Sequence, residues 1–265
     1  MTTSIETFES TILSRTIEYL VYLPPNYSET NKYPILYAFH GLGVDHTSYS
    51  IFTESITTSI SSSQIRPFIM IAPKVGNTFY VNKHDGTENW ETFFFSEFLP
   101  MIESKYPFDN IIKHRSLIGI SMGGYGAIYY SLIKENMFGC CVALSPSLIG
   151  SKAFPKMIET AQKTGLPWHL GYPPRAMTKV YGNEEYYLKH NVSIIVKNQP
   201  IGKYTIPMRI CMGPGDYLFD MINEARTIIK EYMPHVNWIE TEGKHENSYW
   251  LEQFVPALEW IESQW

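Results

Sequence analysis

The stretch Ser116–Ile128 reads SLIGISMGGYGAI, an apolar run that gives way to glycines with one serine, Ser121, at the junction. Gly119-Ile120-Ser121-Met122-Gly123 matches G-x-S-x-G, in which a strained strand-to-helix turn lifts a nucleophilic hydroxyl out of a sheet. Side chains two residues before and after the serine would collide with that turn, so glycine is used there. The helix that follows supplies a dipole and free N–H groups that favour the negative charge developing in acyl transfer. Taken alone, the stretch also fits a glycine-rich turn with a capping serine. It does not fit a dinucleotide fingerprint, because G-x-G-x-x-G cannot be laid on GISMGGYGAIYY.

A serine hydroxyl is a weak nucleophile and needs a base, which an acid in turn orients. In a strand–serine–helix arrangement the acid and the histidine follow the serine, in that order. Two further junctions meet this requirement. The run PMRICMG ends at Gly213-Pro214-Gly215-Asp216, and NWIET runs into Glu242-Gly243-Lys244-His245. Asp216 is therefore the candidate acid and His245 the candidate base. PGD is also good turn chemistry, so Asp216 fits a turn or helix cap as well. Asp220 competes as the acid but falls inside a predicted helix. Of eight histidines, only His245 follows the last strand; His40, His46 and His114 precede Ser121 and break the order. Glu246 reads as a solvated neighbour. Acyl transfer also needs two backbone N–H donors for the oxyanion. Met122, after the nucleophile, is one candidate. The loop His40-Gly41-Leu42-Gly43 offers the other, at Leu42 with Gly41 as the alternative. An ordinary strand–helix turn is the competing reading of that loop.

The elements that must position these residues alternate along the chain. Strand-like runs occur at about 7–14 and 16–23, at 34–39, 67–72, 116–120, 139–144, 207–212 and 237–241. Helical spacing falls at about 47–61, 88–105, 123–134, 218–232 and 249–263. This order predicts an α/β fold with a mostly parallel central sheet, helices on both faces and an antiparallel edge from the first two strands. Sites in such sheets gather at the carboxyl ends of the strands, where Ser121, Asp216, His245 and the HGLG loop all fall. Residues 1–265 read as a single domain, and the stretch 151–200, with GLPWHLGYPPRAM, reads in part as a lid or insertion.

Composition narrows the function classes. The chain has 265 residues, 44% hydrophobic and 18% charged, with a formal net charge of −5. No basic field points to nucleic acid, and no apolar stretch is long enough to span a bilayer. The three cysteines, two of them adjacent in GCCVAL, do not form a disulfide framework. The N-terminal segment lacks a signal-peptide pattern, so a cytoplasmic location is expected, and the two sequons at Asn26 and Asn191 carry little weight. No metal motif or cofactor motif is present, and none is expected.

Taken together, these residues resemble the Putative esterase family of α/β-hydrolases. That family includes feruloyl and acetylxylan esterases, tributyrin-type esterases, S-formylglutathione hydrolase and mycolyltransferases. The resemblance runs through VYLPPNY, KYPILYAFHGLG, TFYVNKHDGTENWETFFFSEFLPMIESKYP, GISMGGYGAI, GPGDYLFDMINEAR and GKHENSYW, nearly the whole chain. It implies an α/β-hydrolase fold, a triad of Ser121, Asp216 and His245, and oxyanion donors at Leu42 and Met122, the same residues that their chain positions select. The S-formylglutathione hydrolase branch usually carries S-G-L-T-C, whereas this chain has HGLGVD, which disfavours that thioesterase reading.

The expected activity is hydrolysis of short-chain acyl or hydroxycinnamoyl (feruloyl-type) esters, including esters on plant polysaccharide. Acyl transfer to an alcohol acceptor is the alternative. A non-catalytic binding protein is disfavoured, because all three triad residues are present. The partner is then a small ester, in some cases carbohydrate-linked. Trp168, His169, Tyr172 and Tyr80 are candidate pocket residues, since aromatic faces suit a cinnamoyl ring or a sugar. Core or lid packing is an equal reading for each of them.

Overall fold

The computed structural model describes residues 3–152, 154, 155, 159 and 174–265. Eight strands form one sheet in the order β1-β2-β4-β3-β5-β6-β7-β8. They are β1 (Thr3–Ser10), β2 (Arg15–Tyr22), β3 (Ile35–Phe39), β4 (Ile69–Pro73), β5 (Arg115–Ile120), β6 (Cys140–Leu144), β7 (Met208–Met212) and β8 (Asn237–Glu240). β1 pairs antiparallel with β2, and β2 antiparallel with β4; every other pairing is parallel.

The central strands are short and apolar because both faces are covered. β3, β4 and β6 are buried at all five positions. Successive residues feed two separate cores. Tyr37, Phe39 and Leu117 join one, while Leu36, Ala38, Ile118 and Ile120 join the other. The first core carries α4 (Met122–Ile133), and the second carries α1 (Thr53–Ser61) and α9 (Asn247–Gln264).

Connections from β3 run to one side of the sheet, towards β4, and those from β5 run to the other, towards β6. The carboxyl ends of β3 and β5 therefore flank the point where strand order reverses, which opens a crevice between the two loops. Pairing of Phe39 with Gly119, Ile120 with Leu144, Leu144 with Cys211 and Met212 with Glu240 aligns the ends of β3, β5, β6, β7 and β8 along one edge.

Several boundaries differ from the sequence expectation, each for a local reason. The first strand ends at Ser10, and its hairpin turn occupies 11–14, because the Glu97 carboxylate accepts from the Ser10 hydroxyl and from the Thr11 and Ile12 N–H groups at 2.6, 3.1 and 3.0 Å. The segment 47–61 divides into a 3₁₀ stretch, His46–Phe52, and α1. The segment 88–105 is α2 (Trp90–Phe93), a wider π turn at Phe94–Phe98, and α3 (Leu99–Lys105), so the phenylalanine run packs into the core over a distorted helix. The helix expected from Leu218 begins at Asn223 as α8 (Asn223–Tyr232).

The described part of the 151–200 stretch contains α5 (Pro174–Tyr181), α6 (Glu184–His190) and α7 (Val192–Lys197). It is anchored to the body by tyrosine hydroxyls. Tyr125 on α4 donates to the His190 carbonyl (2.8 Å), Tyr187 to the Ile149 carbonyl (2.9 Å) and Tyr186 to the Asn82 carbonyl (2.8 Å). No described helix is long and apolar enough to cross a membrane.

Candidate active site

Ser121 lies between β5 and α4 with φ 58° and ψ −117°, in a backbone region that favours glycine. Neighbouring contacts hold it there. Its N–H donates to the Leu144 carbonyl at 2.9 Å, and its own carbonyl accepts from Tyr125 and Ser147, each at 3.0 Å. The glycines on either side are steric requirements. A Cβ at Gly119 would overlap the Gly123 carbonyl, and one at Gly123 would overlap the Phe39 carbonyl. The turn therefore brings α4 hard against the end of β3, and Ser121 sits at the N-terminus of a 12-residue helix. The Met122 N–H is the first of that helix and has no partner within it.

The structure brings Ser121, His245 and Asp216 into one hydrogen-bonded chain. His245 Nε2 is 3.0 Å from Ser121 Oγ, and His245 Nδ1 is 2.8 Å from Asp216 Oδ2. A carboxylate only accepts, so the imidazole proton is on Nδ1 and the Nε2 lone pair faces the serine hydroxyl. The Asp216 side chain is fully buried. Its other oxygen, Oδ1, accepts from the Leu218 N–H at 2.8 Å, and the Asp216 carbonyl accepts from Phe219 at 2.9 Å. This tight turn is what delays α8 to Asn223. Asp220 and Glu246 have no part in the chain of hydrogen bonds.

Aromatic rings flank the imidazole. Tyr217 lies 4.7 Å from it, centroid to centroid, and Trp250 lies 5.1 Å away at 88°. The Trp250 indole is fixed by donation to Ser145 Oγ at 3.1 Å. Neither residue carries a sequence pattern that marks it. Each is found only because a turn or a helix delivers its ring to His245.

The HGLG loop is held from behind at almost every peptide. The Phe39 carbonyl accepts from Tyr49 (3.0 Å), the His40 carbonyl from Tyr80 (2.9 Å), and the Gly43 N–H donates to Asn77 (2.9 Å). His40 is completely buried. Its Nε2 accepts from the Val75 N–H at 3.1 Å, so its proton sits on Nδ1 and donates to the Gly41 carbonyl at 2.8 Å. Burial lowers the His40 pKa to about 4, which keeps this tautomer neutral. The Gly41–Leu42 peptide is trans, so anchoring its carbonyl on His40 turns the Leu42 N–H the opposite way. A Cβ on Gly41 would stand 3.5 Å from that of Ser121, so the loop and the serine are adjacent.

Tyr80, a candidate pocket residue, is 1% exposed, and its ring stacks on Phe39 at 4.5 Å. It sits in the core and braces the HGLG loop through its hydroxyl. Trp168, His169 and Tyr172 lie outside the described residues. Among the described residues, no group of three or more His, Cys, Asp or Glu side chains is arranged to hold a metal ion.

Comparison with known proteins finds relatives and solved structures similar to this chain. An esterase of Mycobacterium tuberculosis is 33% identical over 116 residues, which is 42% of this chain. That match covers a quarter of the relative's own length. The acetyl esterase of Caldicellulosiruptor saccharolyticus is 23% identical over 85% of this chain and 82% of that protein. A solved ferulic acid esterase superimposes with a TM-score of 0.82 at 21% identity, over 99% of this chain and 98% of the other, and shares its fold. The model of the family described as Putative esterase matches residues 10–261, and this chain belongs to that family of α/β-hydrolases.

Proposed function

We propose that the protein is a serine carboxylesterase that works through an acyl-enzyme on Ser121. The observation that carries this reading is the unbroken chain from Asp216 through His245 to the Ser121 hydroxyl, at 2.8 and 3.0 Å. In acylation, Ser121 Oγ attacks the ester carbonyl while His245 Nε2 takes its proton. The carbonyl oxygen becomes an oxyanion held by the Leu42 N–H of the HGLG loop and the Met122 N–H at the head of α4. The carbon–oxygen bond to the alcohol then breaks, and His245 passes the proton to the departing oxygen. In deacylation, His245 removes a proton from water, which attacks the acyl-serine and releases the acid. Asp216 keeps the imidazole oriented and stabilises its cation in both halves.

The substrates proposed are short-chain acyl or hydroxycinnamoyl esters, including esters on plant polysaccharide. Support comes from the named activities of the acetyl esterase relative and the ferulic acid esterase of like fold. Turnover of p-nitrophenyl acetate tests the reaction itself. Wild type is expected to release nitrophenolate, Ser121→Ala to lose about ten-thousand-fold or more in kcat, and Asp216→Asn about a thousand- to ten-thousand-fold. Wild-type inactivity on every short ester, or near-normal turnover by Ser121→Ala, overturns the proposal.

A further inference from the structure

In the reaction proposed above, the leaving alcohol must pass a defined place. His245 Nε2 protonates the departing oxygen, so that oxygen lies within hydrogen-bond reach of Nε2. The oxyanion lies on the other side, towards the Gly41–Leu42 peptide that packs against Ser121. The rest of the alcohol therefore leaves along the imidazole. Two rings lie against that imidazole. Trp250 is partly buried and has its indole N–H engaged by Ser145. Tyr217 is 46% exposed, with its ring 4.7 Å from the imidazole at a 58° tilt.

An exposed apolar side chain is ordinary by itself. What distinguishes Tyr217 is that the catalytic acid fixes its position. The bond from the Leu218 N–H to Asp216 Oδ1 and that from Phe219 to the Asp216 carbonyl close the turn around residue 217. Leu218, the next residue, is fully buried and anchors that turn to the core. The same carboxylate thus orients the base and sets an aromatic ring beside it. Burial raises the Tyr217 hydroxyl to about 12, so the ring stays neutral across the working range of a histidine base.

We infer that Tyr217 forms a leaving-group subsite that selects esters whose alcohol presents a flat ring face, a sugar or an arene, next to the His245 imidazole. The inference rests on the carboxylesterase reading. It assigns the ring to the alcohol half of the substrate and leaves the acyl half to other residues. Aromatic rings take the C–H face of a sugar or the face of an arene by offset or edge contact.

The test holds the acyl group constant. Ethyl acetate, benzyl acetate and an acetylated methyl xyloside all give the same acetyl-enzyme, so deacylation is common to the three. For each ester, the ratio of variant to wild-type kcat/KM cancels the intrinsic reactivity of its leaving group. Tyr217→Ala is expected to lower kcat/KM for the two ring esters by about 3- to 10-fold and to leave ethyl acetate nearly unchanged, while Tyr217→Phe keeps the wild-type pattern. Loss on benzyl acetate alone assigns the subsite to arenes, and loss on the xyloside alone assigns it to sugars. A loss of equal size on all three esters, or none on any, overturns the inference, because the ring then does not distinguish one alcohol from another. Wild-type inactivity on all three overturns the esterase reading and the inference with it.

Discussion

The edge of the sheet that carries Ser121 and the β6–β7 connection differ in how they are held. At the edge, single atoms with single partners fix the geometry. His40 Nδ1 is committed to Gly41, Asp216 Oδ1 to Leu218, and the Ser121 N–H to Leu144. In the connection, large rings do the holding, with hydroxyls reaching whatever backbone carbonyl is near. Phe154 stacks on Tyr187 at 4.8 Å, Tyr181 meets Tyr187 edge-on at 5.2 Å, and Tyr187 donates to both Ile149 and Gly150. The first kind of region tolerates few residue types, because a changed atom loses its partner. The second tolerates many, because aromatic area rather than atom identity does most of the work.

That contrast can be broken by comparing one buried polar group from each region. His40 comes from the edge and carries the larger expected effect. Its pKa lies near 4 in the folded protein against about 6.5 when unfolded. Between these values the unfolded chain binds the proton more readily, so stability is complete above pH 6.5 and falls as the pH drops towards 4. The His40 contribution to that loss is about 3 kcal/mol at most. Urea denaturation at pH 7, 5 and 4 should therefore give a shallower decline for His40→Gln than for wild type, from a lower starting stability. Parallel declines would mean that His40 is not the group being titrated.

Tyr187 is the counterpart in the connection, and the smaller effect is expected there. Removing its hydroxyl loses the bonds to Ile149 and Gly150 and the one it accepts from Asn191 Nδ2 at 3.0 Å, but Asn191 Nδ2 still donates to the Ile149 carbonyl at 2.9 Å. Tyr187→Phe should cost about 1 kcal/mol in urea denaturation and leave kcat on p-nitrophenyl acetate unchanged. A large fall in kcat would show that the connection sets the geometry of the edge, and the division between the two regions would fail.

The same contrast explains what the sequence made legible. Ser121, Asp216 and His245 could be picked out because strand ends, chain order and the steric need for Gly119 and Gly123 are all local properties. The sheet and its parallel core were equally readable from short apolar runs between glycines and prolines. Features set by distant partners were not. The first strand ends four residues early because Glu97, remote in the chain, caps its turn. Leu218, Phe219, Met221 and Ile222 have apolar helical spacing, yet the Asp216 carboxylate turns the chain before the helix begins. His40 precedes the serine, which argues against its being the base but says nothing of a structural role. Its bond to the Gly41 carbonyl depends on the Val75 N–H donating to its other ring nitrogen, a partner that nothing in the sequence near His40 marks. Tyr80 has the residue type of a pocket lining, and only its burial against Phe39 reveals it as a brace.

The central claim is that Ser121 carries the acyl group between the two half-reactions. Rapid acid quench of the enzyme with p-nitrophenyl acetate, followed by peptide mass spectrometry, tests it directly. The account predicts one acetyl group on the peptide that contains Ser121, located on that serine, and no such adduct in Ser121→Ala. Turnover by wild type with an acetyl group found on another side chain, or an undiminished adduct in Ser121→Ala, would contradict it.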